Sequence, residues 1–191
     1  MIYGDINLIR ILKNGGVAIM PTDTIYGIVG LAENVSTVNR IYNLKKRKPE
    51  KPCIILISDF AQLENFSISL SEEQKNKLKE LSSFDPTQDI RPTSIVFDCE
   101  DESFVYLHRG TKTLAFRLPA LQDLRDFIKK TGPLIAPSAN PEGLAPALDI
   151  NEAEKYFGDL VDFYLDGGKI SGKASKVIRL RKDGTIDILR G

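Results

Sequence analysis

Cys53-Ile54-Ile55-Leu56-Ile57 is an apolar run with no polar alternation. A strand with one wet face alternates, so an unbroken run must be covered on both sides, which points to a sheet sandwiched by helices. Val17-Ala18-Ile19-Met20, stopped by Pro21, and Leu134-Ile135-Ala136 repeat the pattern in shorter form. Helical periods lie between these runs. Asp5 is placed to cap a helix carrying Ile6, Ile9 and Leu12, with Asn14-Gly15-Gly16 as its stop. Ser36 reads as the cap of a second helix through Val38, Ile41, Tyr42 and Lys45. Ser71-Glu72-Glu73-Gln74 has capping-box spacing and opens a mostly polar helix to Leu81. Leu121, Leu124, Phe127 and Ile128 form a further helical face before Gly132. Thr93–Phe97 and Leu114–Leu118 read as strands, and the aperiodic segment 82–92, with Pro86 and Pro92, as a loop. Val177–Leu180 and Thr185–Leu189 flank Lys182-Asp183-Gly184, a hairpin signal. The hairpin adds antiparallel pairing to βα units, so the expected fold is α/β with a mixed sheet, one domain over 1–191.

Composition narrows the function. With 26 basic and 26 acidic residues the formal net charge is zero, which excludes a highly basic nucleic-acid binder but not a local basic patch. No stretch approaches the roughly 20 apolar residues that cross a bilayer. Met1-Ile2-Tyr3-Gly4-Asp5 lacks the basic start of a secretory signal, so a cytoplasmic location with no membrane partner is expected. Cys53 and Cys99, far apart in apolar runs, read as buried reduced thiols. The single histidine, His108, reads as structural, on a strand end running into a turn, and it excludes multi-histidine metal sites. Chemistry must then come from charges, hydroxyls and backbone, with no protein metal centre expected.

Ligands of α/β sheets gather at the carboxyl ends of strands. Three such ends carry unusual loops. Pro21-Thr22-Asp23-Thr24-Ile25-Tyr26-Gly27 crowds two hydroxyls, a carboxylate and a phenol where a turn needs one polar residue. Lys45-Lys46-Arg47-Lys48-Pro49-Glu50-Lys51-Pro52 holds five cations. A helix end gains only about 0.3–1 kcal/mol per favourable charge, so this excess suits a polyanion such as a triphosphate. Ala136-Pro137-Ser138-Ala139-Asn140-Pro141-Glu142-Gly143 offers small side chains that let backbone N–H groups approach an anion. Arg117 sits in an otherwise apolar strand, where a structural or a substrate carboxylate must satisfy it. Gly167–Ala174 nearly spells a phosphate-binding P-loop, yet Ala174 stands where a metal-binding Ser or Thr is required and a strand follows instead of a helix.

In order and spacing, the Pro21–Gly27 loop, Lys45-x-Arg47, Arg117-x-Pro119 and Ala136-Pro137-Ser138-Ala139-Asn140 resemble the YrdC family, which includes the L-threonylcarbamoyladenylate synthases. The resemblance runs from about Gly15 to Arg190-Gly191, and Lys-x-Arg with Ser-x-Asn is its most specific part. It implies a twisted, open mixed sheet with a positively charged concave cavity. It also implies a reaction in which L-threonine, bicarbonate (or CO2) and ATP, with Mg2+, give threonylcarbamoyl-AMP and pyrophosphate. Downstream transferase proteins would then carry the threonylcarbamoyl group to tRNA, and contact of this chain with tRNA is a further expectation.

Carried over by position, Lys45, Arg47, Ser94, Ser138, Asn140 and Arg190 would hold ATP, with Lys45 and Arg47 as the catalytic charges. Thr22, Thr24, Tyr26, Arg117 and Ser175 would hold threonine. The chain departs from the family at Asp89-Ile90-Arg91, at Glu142 in place of serine, at Lys48 in place of proline, at Lys176 in place of threonine and at Leu56 in place of histidine. These changes bear on amino-acid specificity. The alternative the resemblance leaves is a non-catalytic paralogue that binds RNA or nucleotide in the same concavity.

Overall fold

The computed structural model describes residues 2–82 and 92–191. The loop expected over 82–92, and the departures at 89–91, fall almost entirely outside the described residues. A 3-10 turn, Ile2–Gly4, leads into α1 (Ile6–Lys13), and β1 (Ala18–Pro21) and β2 (Tyr26–Leu31) follow. Next come α2 (Val35–Lys45), β3 (Ile54–Leu56), α3 (Glu72–Ser82) and β4 (Thr93–Asp98). The second half holds α4 (Val105–His108), β5 (Thr113–Arg117), α5 (Gln122–Thr131), β6 (Leu134–Ile135), α6 (Ile150–Phe157), β7 (Phe163–Tyr164), β8 (Lys176–Leu180) and β9 (Ile186–Arg190).

The strands form one mixed sheet in the order β7-β1-β2-β6-β3-β5-β4-β8-β9. β3 lies parallel to β5 and β4 parallel to β8, while β8 and β9 close as the expected antiparallel hairpin. Among the described residues no helix is long and apolar enough to cross a membrane.

Period-2 alternation sends side chains to two cores, as covered strands require. Val17, Ile19, Ile28, Ile55 and Phe116 join Val38, Ile41, Leu107 and Phe157 from α2, α4 and α6 on one face. Ala18, Met20, Val29 and Leu56 join Leu8, Leu12, Leu124 and Phe127 from α1 and α5 on the other. The Cys53–Ile57 run is thus covered on both faces as its composition demands. Both cysteines are free and buried.

Two local expectations fail. Asn34, not Ser36, caps α2: its extended backbone (φ −102°, ψ 105°) lets its side-chain oxygen accept from the Thr37 N–H at 3.0 Å, and the Ser36 hydroxyl also bonds to it. His108 ends a short helix rather than a strand. Asp101 caps a 3-10 turn that runs straight on into α4, and Arg109 (φ 51°) and Gly110 (φ 86°) in the left-handed region stop it. Strands β2 and β7 and helix α6, capped by Asp149, are further elements the pattern did not announce.

Candidate functional site

Helices α1 and α5 cover only part of their face of the sheet. Beside them, over β5, β4, β8 and the Ile54 end of β3, lies a cavity of about 420 Å³. The alternation explains it. In β5, Leu114 and Phe116 point into the helix-covered core, while Thr113, Ala115 and Arg117 line the cavity. In β4, Ile95 and Phe97 enter the same core and Val96 lines the cavity. The floor is therefore built of short side chains, which leaves room above it. The walls are the three loops singled out by sequence: Thr22–Gly27, Arg47–Cys53 and Ala136–Ser138, with Ala174, Ser175 and Arg190 at the far side. Among the described residues, Arg47, Arg117 and Arg190 are the charged side chains on this lining, and no carboxylate joins them.

Arg117 is 4% exposed, and its guanidinium lies 3.0 Å from Asp23 Oδ1, itself on a side chain 2% exposed. The pair explains how a guanidinium is tolerated inside a strand. The contact is Coulombic rather than well hydrogen-bonded, since Asp23 Oδ1 and Arg117 Nε are both buried without a hydrogen-bond partner. Burial pulls the Arg117 guanidinium below its ordinary range, Asp23 opposes the shift, and Arg190 adds to it. The same nitrogen, Nη2, donates weakly to Thr22 Oγ1 at 3.4 Å. Thr22 and Thr24 are themselves linked hydroxyl to hydroxyl at 3.0 Å, and Thr22 Oγ1 donates to the Ile25 carbonyl, so the first loop is internally braced.

The second and third loops are joined by Lys45. Its side chain is 1% exposed, and the ammonium donates to the Ser138 and Asn140 carbonyls, both at 2.5 Å. Burial, with repulsion from Arg47, pulls it down to about 8. Lys45 thus lies behind the cavity wall and not on its surface. Arg47 is on the surface, braced by donating to the Lys51 and Pro52 carbonyls of its own loop. The third loop is stitched to β2: Ile28 N–H donates to Pro137, Ala139 N–H donates to Tyr26, and Gly27 bridges Ser138. Asn140 donates to the Pro141 and Leu144 carbonyls, and its Oδ1 is buried without a partner.

At the far wall, Arg190 donates to the Ser175 carbonyl at 2.7 and 3.0 Å, and Ser175 Oγ sits 2.8 Å from Ser94 Oγ. Tyr26 is fully buried; its hydroxyl donates to the Gly168 carbonyl and accepts from the Gly167 N–H. It anchors the 165–175 strap beside the first loop. The near-P-loop is this strap, and β8 follows it, as the strand-like sequence indicated.

The geometry therefore brings Thr22, Thr24, Arg47, Arg117, Ser138, Ser175 and Arg190 to one cavity. Tyr26, Lys45, Ser94 and Asn140 stand behind its lining and support it. Sequence reasoning missed Ala115 and Thr113 on the floor, although the Thr-Leu-Ala-Phe-Arg alternation carried that signal, and it did not pair Asp23 with Arg117. No group of three or more His, Cys, Asp or Glu side chains gathers to hold a metal among the described residues.

An open mixed α/β sheet with a cavity walled by three distant loops and lined by arginines and hydroxyls defines the class of fold and site. The chain belongs to the Sua5/YciO/YrdC family, whose model, described as "Telomere recombination", matches residues 10–191. It is 32% identical over 188 residues to the threonylcarbamoyl-AMP synthase of Hahella chejuensis, covering 95% of both chains. The structure of Pyrococcus abyssi Sua5 complexed with L-threonine matches with a TM-score of 0.78 at 28% identity, over 94% of this chain and 50% of that one. The chain thus spans half the length of that relative. The Escherichia coli YciO structure, at 20% identity and a TM-score of 0.78, shares the fold over 99% of this chain and 87% of its own.

Proposed function

We propose that this chain is a threonylcarbamoyl-AMP synthase acting on L-threonine, bicarbonate or CO2, and ATP ahead of tRNA modification. The observation that carries the reading is the convergence of Arg47, Ser138 and Arg190 on one cavity beside Arg117, Thr22 and Thr24. Its arginine side suits a triphosphate. Its Thr22–Thr24 side suits a small amino acid, whose carboxylate would face the Arg117 guanidinium on the same lining. The P. abyssi complex with L-threonine and the Hahella relative support the same assignment.

The threonine amine adds to CO2 and loses a proton to give a carbamate. A carbamate oxygen then attacks the α-phosphorus and pyrophosphate leaves. Such a step asks the protein for alignment and for neutralisation of developing charge, not for a histidine base. Arg47 and Arg190 face the departing pyrophosphate, with the Ser138 side of the third loop on the same lining. The Mg2+ that accompanies ATP would neutralise phosphate charge while riding on the nucleotide, since among the described residues the lining supplies no carboxylate to ligate it.

The test is pyrophosphate release by the purified protein, with each substrate omitted in turn and serine offered in place of threonine. Strict dependence on threonine and bicarbonate is expected. Arg47→Ala should lower turnover about 100-fold or more, the loss typical of one removed charge-stabilising donor. Protein that binds ATP yet releases no pyrophosphate with threonine overturns the assignment.

A further inference from the structure

Arg47 reaches the cavity from a surface loop, and something must hold that loop still. Its own hydrogen bonds go to Lys51 and Pro52, within the same loop, and so cannot anchor it to the rest of the molecule. Glu142, in the third loop, does. One carboxylate oxygen accepts from the Lys48 backbone N–H at 3.0 Å, and the other accepts from the Lys51 ammonium at 2.5 Å. The Glu142 N–H in turn donates to the Lys45 carbonyl at 2.7 Å. The carboxylate therefore spans both ends of Lys48–Lys51, the segment that follows Arg47, and ties it to the Ser138–Asn140 loop.

An isolated surface ion pair contributes little. This one differs in using both oxygens on two different donors, next to a main-chain bond and the buried Lys45 bridge. Glu142 is also only partly exposed, its side chain at 24%. The carboxylate belongs to no lining surface of the cavity, so its negative charge, spent on Lys51, is kept out of contact with an incoming polyanion.

We propose that the Glu142–Lys51 clasp is a positioning device for Arg47: it pre-sets the phosphate-facing loop and thereby tightens nucleotide binding without touching substrate. The proposal rests on the reading that this cavity takes ATP. Its own readout is nevertheless independent, because the clasp orders a loop in the unliganded protein.

The experiment compares wild type with Glu142→Ala, Glu142→Gln, Lys51→Ala and the Glu142→Gln/Lys51→Ala pair. Amide hydrogen exchange is followed without ligand, ATP binding by calorimetry, and turnover with pyrophosphate release. Glu142→Ala should speed exchange over 46–52 while leaving Thr22–Tyr26 unchanged. It should raise the KM for ATP about tenfold with kcat nearly constant and threonine KM unmoved. Glu142→Gln keeps an oxygen for the Lys48 N–H and should lose less. The double variant should be no worse than the poorer single, as coupled partners require. Unchanged exchange over 46–52 overturns the clasp. So does tighter ATP binding in Glu142→Ala, which would mean that the carboxylate only repels nucleotide. Failure of the proposed reaction appears differently, as absent pyrophosphate in wild type while the exchange result still decides the clasp.

Discussion

Lys45 carries the most unusual charge in the molecule, an ammonium 1% exposed and held between two backbone carbonyls. Burial and Arg47 bring it from an ordinary 10.5 to about 8. The sign of the consequence follows from proton counting. Below pH 8 both folded and unfolded chains hold the proton, so the cost of burying the charge is fully present. Between pH 8 and 10.5 the unfolded chain holds a proton that the folded chain has lost, and stability rises with pH. The span corresponds to about 3 kcal/mol. Urea unfolding of wild type and Lys45→Met across this range isolates the term, since the tyrosines and other titrating groups are common to both. The wild-type advantage should grow with pH by up to about 3 kcal/mol. Parallel curves would show that Lys45 does not titrate there. The residue itself was legible in the sequence as half of a Lys-x-Arg pair. That it stands behind the wall while Arg47 stands in it was not, because depth is decided by where α2 ends against the third loop.

At the scale of elements, the 165–175 strap is held to the first loop by the Tyr26 hydroxyl and by close approach at two glycines. A Cβ on Gly172 would lie 1.8 Å from the Thr24 carbonyl oxygen and 2.9 Å from its carbon, and one on Gly167 would lie 2.6 Å from Pro21 Cγ. The first clash is with backbone, so it cannot be relieved by a rotamer change. Gly172→Ala should cost about 1–3 kcal/mol by forcing the strap off Thr24. It should also raise the KM for threonine more than that for ATP, because Thr24 and Ser175 share that end of the cavity. Gly4→Ala, with nothing within 4 Å of its Cβ, is the control and should change stability by less than about 0.5 kcal/mol. Equal, small effects of both substitutions would remove the strap from the argument. The strap's sequence drew notice only as a failed phosphate loop, since close approach between two distant loops leaves no local signature. Strand β2 was hidden for a related reason: Gly27 and Gly30 lower its strand propensity, yet a Cβ on Gly30 would strike Thr37 at 2.3 Å, so the glycine is there to admit α2. The long apolar runs and the closing hairpin, by contrast, declare themselves through period and turn chemistry alone.

For the whole molecule, folding brings Arg47, Arg117 and Arg190 to one hollow, where Asp23 pairs with Arg117. Like charges so gathered oppose one another, as the effect of Arg190 on Arg117 records. An anion bound only by the folded chain relieves that repulsion and shifts the unfolding equilibrium. At a hundred times its Kd such a ligand stabilises by about 2.7 kcal/mol. A chain of this size then melts about 5–10 °C higher. ATP should give the larger shift, AMP a small one and pyrophosphate an intermediate one, because the arginines answer to the phosphate tail. Binding to a compact site through the Arg47 and Arg190 guanidinium groups should weaken only modestly with salt. RNA held along its backbone would instead lose affinity with a log–log slope of about −0.7 to −0.9 per phosphate contacted. Thermal melts with the three anions, repeated from 50 to 200 mM salt, distinguish the two, since that is the range over which backbone binders lose most affinity. A steep salt slope with RNA, together with no shift by ATP, would transfer the cavity from nucleotide chemistry to RNA binding.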